Sequence, residues 1–461
     1  MSGARPPRMD RLLAEPGALA LAREFGPAET KRALRQALDA GVARWRVSGE
    51  VPLAGDVIRE AGLRLAEAFR PPLRRVVNAT GVVLHTNLGR APLSRPLLRE
   101  VEGILAGYVD LEMDLGAGRR GHRDAALERA FQDLLGTEYG VVVVNNNAAA
   151  TLLLLNTFSS GRETLVSRGE LVEIGGGFRM PEVMKASGAL LREVGTTNRT
   201  RVSDYRRAAG PQSALILKVH TSNYRILGFT EEVSLEALTE LGRDLGLAVG
   251  FDLGSGLVDP TAASRVPDEP TVTSALAARP DALCFSGDKL LGACQAGILL
   301  VAPQHVSAFR ANPLLRALRV DKVTYSLLAA AVDRYRRGRR LEIPVLALLD
   351  REAGDLRRRA RALLRRVSRS CPDRFHLEVA EAEGRTGAGS APLTALPSPA
   401  LAVVPRSGDP EDLERHLRAG GDPPVVTQTS EGRVLIHLRT LLPGDERDVA
   451  RRLSEYPGRT P

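Results

Sequence analysis

Between residues 76 and 325, short apolar runs alternate with stretches of helical character, and this alternation restricts the possible folds more than any other feature. Most runs are aliphatic and about five to seven residues long, which is typical of strands buried in a parallel sheet. The runs are Gly140–Val144, Thr164–Val166, Ala214–His220, Leu247–Leu253, Ala282–Ser286 and Gly297–Val301. Such alternation predicts an α/β sheet that binds ligands at the carboxyl ends of its strands.

The flanking segments have other patterns, so we predict three domains, at residues 1–75, 76–325 and 326–461. The first is predicted to be helical, because Leu34 and Leu38 lie four apart on one helix face and Pro71-Pro72 ends the helical pattern. The last is predicted to be a small α+β domain in which 384–399 is a loop. Its predicted strands are Leu401–Val404 and Val434–Leu438, and its predicted helices are Pro410–Ala419 and Glu446–Glu455.

The composition limits the class of protein. Hydrophobic residues make up 43% and charged residues 26%, which fits a globular chain with a sizeable core. No run approaches the roughly 18 apolar residues of a membrane span, and the N-terminus lacks an export signal, so we expect a cytoplasmic protein. The 3 cysteines and 7 histidines show no metal-ligand spacing, so no metal site is predicted.

The charge suggests a polyanionic partner without establishing one. The formal net charge is +9, and residues 1–75 carry 14 Arg and Lys against 9 Asp and Glu. That segment is either a solvated helical cap or an appendage that faces nucleic acid, and charge alone favours the cap. Arg makes up 59 of the 64 basic residues, so chemistry that needs an amine has five candidate lysines.

Lys289 is the strongest candidate for a reactive amine. It directly follows an apolar run, in Ser286-Gly287-Asp288-Lys289, at the predicted mouth of the sheet. That setting is typical of a desolvated Schiff-base lysine, although an exposed turn lysine is the simpler alternative. Lys218, inside the run Ala214–His220, is the main rival.

Two further segments supply what a pyridoxal cofactor needs. Asp252 ends another strand and is the acid expected beside a pyridine nitrogen, although a turn aspartate is also possible. Asn145, Asn146, Asn147 and Ala148 follow a strand and begin a helix, with Asn147 as the expected N-cap, and such a helix start can bind phosphate. Ser286 is predicted to add its hydroxyl there. The order of these segments resembles the aspartate-aminotransferase-like layout, fold type I, of pyridoxal phosphate enzymes.

Longer motifs make a more specific resemblance, which runs from about residue 10 to about residue 450. The chain resembles the bacterial selenocysteine synthases, the L-seryl-tRNA(Sec) selenium transferase family. The motifs include RRVVNATGVVLHTNLGRAPLS from Arg74, VVVVNNNAAATLLLLN from Val141, LREVGTTNRT from Leu191, KVHTSNYRILGFT from Lys218 and SGDKLLG from Ser286. The sequence departs from the family pattern at Ala293-Cys294 and Gly177, and its glycine cluster at 387–390 is diluted.

The resemblance implies a reaction and a set of binding residues. Seryl-tRNA(Sec) would undergo β-elimination to dehydroalanyl-tRNA, and selenium from selenophosphate would add to give selenocysteinyl-tRNA(Sec). Lys289 and Asp252 would be catalytic and hold pyridoxal 5′-phosphate, while Arg90, Arg316 and Arg319 would bind the selenophosphate anion. The spacing predicts that Arg316 and Arg319 share one helix face.

The resemblance also implies partners. The N-terminal domain would bind the tRNA, and the chain would form a homodecamer, a pentamer of dimers, with active sites at dimer interfaces. The segment around Thr196-Thr197 would then lie between subunits. Two other functions stay open: a pyridoxal phosphate β-lyase or ammonia-lyase for a small amino acid, and a non-catalytic RNA-binding protein. The presence of an N-terminal domain argues against the lyase. The presence of Lys289, Asp252 and Arg90 argues against the non-catalytic RNA-binding protein.

Overall fold

The computed structural model describes residues 5–174 and 177–457 and divides the chain into two compact units, Met1–Arg75 and Val76–Pro461. The N-terminal unit is helical, and its core includes Leu12, Leu34, Val57 and Leu65, with Leu38 packed against them. Its helices are α1 (Met9–Ala14), α2 (Pro16–Phe25), α3 (Pro27–Ser48) and α4 (Ala54–Ala68).

The second unit contains the remaining helices and all strands of the described residues. The helices are α5 (Arg95–Leu105), α6 (Ala125–Leu135), α7 (Asn147–Ser159), α8 (Met180–Ser187), α9 (Val202–Ala208), α10 (Leu235–Leu245), α11 (Val272–Ala277), α12 (Val306–Ala311), α13 (Pro313–Leu318), α14 (Lys322–Arg336), α15 (Pro344–Leu349), α16 (Ala353–Ser370), α17 (Pro410–Ala419) and α18 (Asp445–Ser454). No helix among the described residues has both the length and the apolar character that a membrane crossing requires.

The strands form one large sheet and several smaller ones. They are β1 (Val77–Ala79), β2 (Val82–Leu84), β3 (Met113–Asp114), β4 (Arg119–Arg120), β5 (Gly140–Val144), β6 (Glu163–Ser167), β7 (Glu173–Ile174), β8 (Phe178–Arg179), β9 (Leu190–Val194), β10 (Ser213–Val219), β11 (Ala248–Gly254), β12 (Ala282–Ser286), β13 (Gly297–Val301), β14 (Phe375–Ala380), β15 (Glu383–Gly387), β16 (Ser390–Pro397), β17 (Ala400–Pro405), β18 (Val425–Ser430) and β19 (Arg433–His437). The large sheet has the order β5-β13-β12-β11-β10-β6-β9.

The six predicted strands of the large sheet are present, but the expectation that all are parallel is wrong for one. Strand β13 is antiparallel to both of its neighbours, β12 and β5. The connection between β12 and β13 spans residues 287–296, which is shorter than the dozen or more residues of a parallel crossover. The remaining pairs, β12–β11, β11–β10, β10–β6 and β6–β9, are parallel.

The predicted loop at 384–399 is also wrong, because most of it forms the hairpin β15–β16. Its small residues reflect close packing: a Cβ on Gly384 would lie 2.5 Å from the carbonyl oxygen of Gly81. The strands predicted near the C-terminus are β17 and β19. They share a five-stranded sheet with β1, from the start of the unit. Because this sheet combines strands from both sides of residue 325, it does not test the predicted domain boundary there, and that boundary stays a prediction.

Candidate active site

Lys289 lies in the turn that follows β12, with only 8% of its surface exposed. Burial lowers the pKa of its amine, and the nearby carboxylates of Asp252, Asp288 and Glu269 oppose that effect. The turn is closely packed: the Ala293 N–H donates to the Gly287 carbonyl at 2.8 Å. A Cβ on Gly287 would lie 2.6 Å from the Cys294 carbonyl oxygen. The departure from the family pattern at Ala293-Cys294 thus coincides with a turn that is tightly held.

Asp252 lies in β11, the strand beside β12, and is 6% exposed. Its Oδ1 accepts a hydrogen bond from Asn147 Nδ2 at 2.8 Å, and its Oδ2 accepts one from Thr151 Oγ1 at 3.0 Å. Burial raises the pKa of Asp252, while these two hydrogen bonds and the neighbouring Lys289 oppose the rise. Sequence reasoning missed Thr151, which lies on the first turns of α7 and faces a residue far away in the chain.

The start of α7 is an open helix N-terminus, but its cap differs from the predicted one. Asn146, not Asn147, is the N-cap, and its side chain accepts a hydrogen bond from the Ala149 N–H at 2.9 Å. The Asn147 side chain is instead directed at Asp252. The Asn145 N–H is already bound to the Leu318 carbonyl at 3.0 Å. The N–H groups of Asn147 and Ala148 thus remain at the open helix end, where a phosphate group can bind.

Asp288 connects Ser286 and Arg90. The Ser286 hydroxyl donates to Asp288 Oδ1 at 2.7 Å, and Arg90 Nη1 donates to Asp288 Oδ2 at 2.7 Å. The predicted contact of Ser286 with a phosphate therefore stays a prediction. Arg90 has a left-handed backbone, with φ of 59°. It lines a cavity of about 320 Å³ together with Asp288 and Cys294.

Arg316 and Arg319 line a different cavity, of about 390 Å³, so one chain does not bring the three predicted anion-binding arginines into a single cavity. The expectation that both lie on one helix face is wrong. Helix α13 ends at Leu318, and Arg319 has an extended backbone with φ of −65° and ψ of 147°. The reason is its pairing with β5, because Val144 and Arg319 form an antiparallel bridge.

The rival lysine is occupied elsewhere. Lys218 Nζ donates to Glu170 Oε1 at 3.1 Å and to the Val233 carbonyl at 2.9 Å. Glu170 also accepts the Val219 N–H at 2.9 Å, so the pair ties a loop to β10. Thr196 and Thr197 lie in an exposed turn between β9 and α9, where Thr196 N–H donates to the Arg199 carbonyl at 2.8 Å.

Sequence reasoning also missed a histidine and a glutamate. His220 directly follows β10, and its backbone N–H donates to the backbone carbonyl of Asp252 at 2.9 Å. Its Nε2 lies 3.5 Å from Glu269 Oε2. The position of His220 at the end of an apolar run was an available signal. Glu269 lies in an irregular segment, and nothing in its local sequence pattern indicated a site.

These residues fit pyridoxal phosphate. A buried amine, a buried carboxylate on the neighbouring strand and an open helix N-terminus all lie at the carboxyl edge of one sheet. Asn147 Oδ1 is buried and has no hydrogen-bond partner among the described residues, which is expected where a polar ligand binds.

A solved structure has a similar fold. The enzyme D-glucosaminate-6-phosphate ammonia-lyase matches with a TM-score of 0.58 and 16% identity, over 83% of this chain and 96% of that chain. The likeness concerns the fold alone, and it confirms the α/β, fold type I architecture that the sequence predicts.

Sequence relatives are far closer. Residues 76–442 match the family model described as L-seryl-tRNA selenium transferase, and residues 7–40 match the one described as selenocysteine synthase N terminal. The L-seryl-tRNA(Sec) selenium transferase of Moorella thermoacetica is 45% identical over 97% of this chain and 95% of that one. The enzyme of the same name from Geobacter sulfurreducens is 42% identical over 98% of both. The chain therefore belongs to the L-seryl-tRNA(Sec) selenium transferase family of pyridoxal phosphate-dependent enzymes.

Proposed function

We propose that this protein converts L-seryl-tRNA(Sec) to L-selenocysteinyl-tRNA(Sec) with selenophosphate as the selenium donor. The observation that carries the proposal is the buried Lys289 amine, which shares one sheet edge with Asp252 and the start of α7, in a member of this family. We place this activity in the cytoplasm, where aminoacyl-tRNAs are made and used.

The proposed roles follow from the contacts of each residue. Pyridoxal phosphate, when bound, supplies an electron sink for the electron pair left at the seryl Cα. Lys289 would hold it through Nζ, Asp252 would bind its ring nitrogen, and Asn147 and Ala148 would bind its phosphate through their N–H groups. Because burial lowers the pKa of Lys289, its neutral amine is suited to take the proton from the seryl Cα.

Selenophosphate binding would use the guanidinium groups of Arg90, Arg316 and Arg319. Arginine pairs well with tetrahedral oxyanions through two parallel hydrogen bonds. Arg90 lies in one cavity of the chain, and Arg316 and Arg319 lie in another. That separation supports a clamp to which two subunits contribute, as in the homodecamer, a pentamer of dimers, that we propose. Residues 1–75 would bind the tRNA body, since they carry 14 basic and 9 acidic residues.

The test compares wild type with Lys289→Ala. Each protein is loaded with pyridoxal phosphate, its visible absorbance is recorded before and after borohydride, and it is then incubated with seryl-tRNA(Sec) and selenophosphate. We expect a reducible yellow band and selenocysteinyl-tRNA from wild type and neither from the variant. The exposed Lys185 provides the matched control, Lys185→Ala, which should behave like wild type.

Two outcomes contradict the proposal. A reducible band without any tRNA product, but with ammonia released from a small amino acid, would identify a lyase. Absence of the band in wild type would refute the assignment of Lys289.

A further inference from the structure

A buried histidine–glutamate pair lies beside the proposed reaction centre. The side chain of Glu269 is 0% exposed and that of His220 is 15% exposed, with 3.5 Å between Glu269 Oε2 and His220 Nε2. The other carboxylate oxygen, Oε1, accepts the Ala391 N–H. The pair adjoins the reaction centre, because the backbone N–H of His220 donates to the backbone carbonyl of Asp252 and the charge of Glu269 acts on Lys289.

This arrangement keeps a fully buried carboxylate ionised. Burial alone would raise the pKa of Glu269, but His220, Ser255 and the Ala391 N–H together hold that pKa below its usual value. Among the described residues, His220 is the one basic side chain within ion-pair distance of Glu269. A buried carboxylate is costly without such a partner, so the two side chains hold each other in place.

The pair is also incompletely satisfied. Within the described part of the chain, the fully buried Ser255 Oγ has no hydrogen-bond partner, and Glu269 Oε2 has only the 3.5 Å ion-pair contact with His220. Buried polar atoms without partners are uncommon and indicate a place where a polar ligand group binds. Ser255 also accepts the Leu290 N–H at 2.9 Å through its carbonyl, so this polar pocket adjoins Lys289.

The proposed reaction needs a second proton-transfer group. Lys289 takes the proton from the seryl Cα, but hydroxide is a poor leaving group, and the β-oxygen must gain a proton as its bond to Cβ breaks. The His220 ring lies 3.5 Å from Glu269 and close enough to Asp252 for the two side chains to interact electrostatically, so an imidazole stands beside the reaction centre, where a proton-transfer group is needed.

We propose that His220, held in place by Glu269, donates the proton that lets the seryl β-hydroxyl leave as water. The electron pair of the Cα–H bond forms the Cα–Cβ double bond, and the pair of the Cβ–O bond moves to the departing oxygen. That oxygen takes the proton of His220 Nδ1, the ring nitrogen that does not face Glu269, which leaves a neutral imidazole with its Nε2 still directed at Glu269. Glu269 is a positioning residue that acts through His220. This inference rests on the proposed function.

The test uses two aminoacyl groups that differ in the leaving group. His220→Gln keeps a polar side chain but cannot release a proton, and it is assayed with seryl-tRNA(Sec) and with β-chloroalanyl-tRNA(Sec). Chloride leaves without a proton. We expect turnover of the seryl substrate to fall about 100-fold, and turnover of the chloroalanyl substrate to fall less than about threefold. Glu269→Gln should show the same selectivity with a smaller loss, of about 10-fold.

A matched histidine serves as the control. His305 Nε2 lies 2.9 Å from Asp281 Oδ1. Asp281 directly precedes β12, so this pair lies at the opposite edge of the sheet from Lys289. The variant His305→Gln should therefore turn over both substrates at the wild-type rate. A second readout is independent of turnover: titration of cofactor-free His220→Gln with pyridoxal phosphate, followed by absorbance. We expect its dissociation constant to stay within about threefold of wild type.

The outcomes separate this inference from the proposed function. Equal losses on both substrates, or weakened cofactor binding with equal losses, would make His220 a structural residue and overturn the inference while the function stands. Unchanged seryl turnover in His220→Gln would also overturn it. Failure of wild type to produce selenocysteinyl-tRNA from either substrate would refute the function and the inference together.

Discussion

Gly297 gives the most direct test of how the fold positions the site. It begins β13 and pairs with Ser286 on one side and Val144 on the other, the two strand ends that lead to Lys289 and to α7. A Cβ at this position would lie 2.1 Å from the Asn146 carbonyl oxygen and 2.9 Å from the Ala150 Cβ. Ordinary contact begins at 3.4 Å, so Gly297→Ala forces the start of α7 away by about 1.3 Å, the difference between those two distances.

The expected cost follows from overpacking. Forcing an extra methyl group into a well-packed site costs about 1–3 kcal/mol, and the cofactor's phosphate site is the part that must move. Since 1.4 kcal/mol corresponds to a tenfold change in an equilibrium constant, we expect the dissociation constant for pyridoxal phosphate to rise about tenfold. The free energy of unfolding of the cofactor-free protein should fall by about 1–3 kcal/mol.

The assay combines urea unfolding with cofactor titration by absorbance, at one protein concentration because the chain is expected to assemble. Gly103→Ala is the matched control. Gly103 lies on the exposed face of α5, and nothing lies within 4 Å of a Cβ built there. Alanine should stabilise that helix by up to about 1 kcal/mol. If Gly297→Ala bound the cofactor and unfolded like wild type, the argument that this contact positions the site would be refuted.

Two further predictions concern buried charge. Burial lowers the pKa of His437 from 6.5 to about 4. As the pH drops, the unfolded chain therefore takes up a proton at this histidine before the folded protein does. The free energy of unfolding falls by up to about 3 kcal/mol between pH 6.5 and about pH 4. His437→Gln should lessen that dependence in urea unfolding series across this range, and an unchanged slope would contradict it. Lys218→Met leaves the buried Glu170 without its ammonium partner and should lower the free energy of unfolding by about 3–5 kcal/mol. Adding Glu170→Gln should recover part of the loss, and equal instability of the single and double variants would argue against the ion pair.

The sequence predicted the buried strands well because their apolar runs leave little choice. Strands β5, β12 and β13 begin and end at the predicted residues, and all five positions of each are buried. Strand β9 was missed because its sequence, LLREV, is half exposed and has no clear alternation. The direction of β13 was wrong because a run of aliphatic residues reports burial and says nothing about direction. Only the length of the preceding connection indicates the direction.

The site was predicted in part, and the division has a physical reason. Lys289, Asp252 and the segment Asn145–Ala148 each directly follow or end an apolar run, so their positions at one sheet edge follow from strand order. Thr151 reaches the site through its hydrogen bond with Asp252, which lies 101 positions away in the chain. Glu269 reaches the site from an irregular segment. Such contacts are set by tertiary packing and leave no periodic signal in the sequence.

The antiparallel strand β13 explains why the site can be so compact. Parallel strands place their carboxyl ends at one edge, so the edge receives α7 after β5, His220 after β10 and Lys289 after β12. Strand β13 lies between β12 and β5 but runs the other way, so it presents its first residue, Gly297, at that edge. A residue without a side chain there lets the start of α7 approach the sheet, and it brings Asn147 within 2.8 Å of Asp252. The reversal of one strand therefore removes a competing side chain from the place where the phosphate site and the proposed catalytic residues must meet.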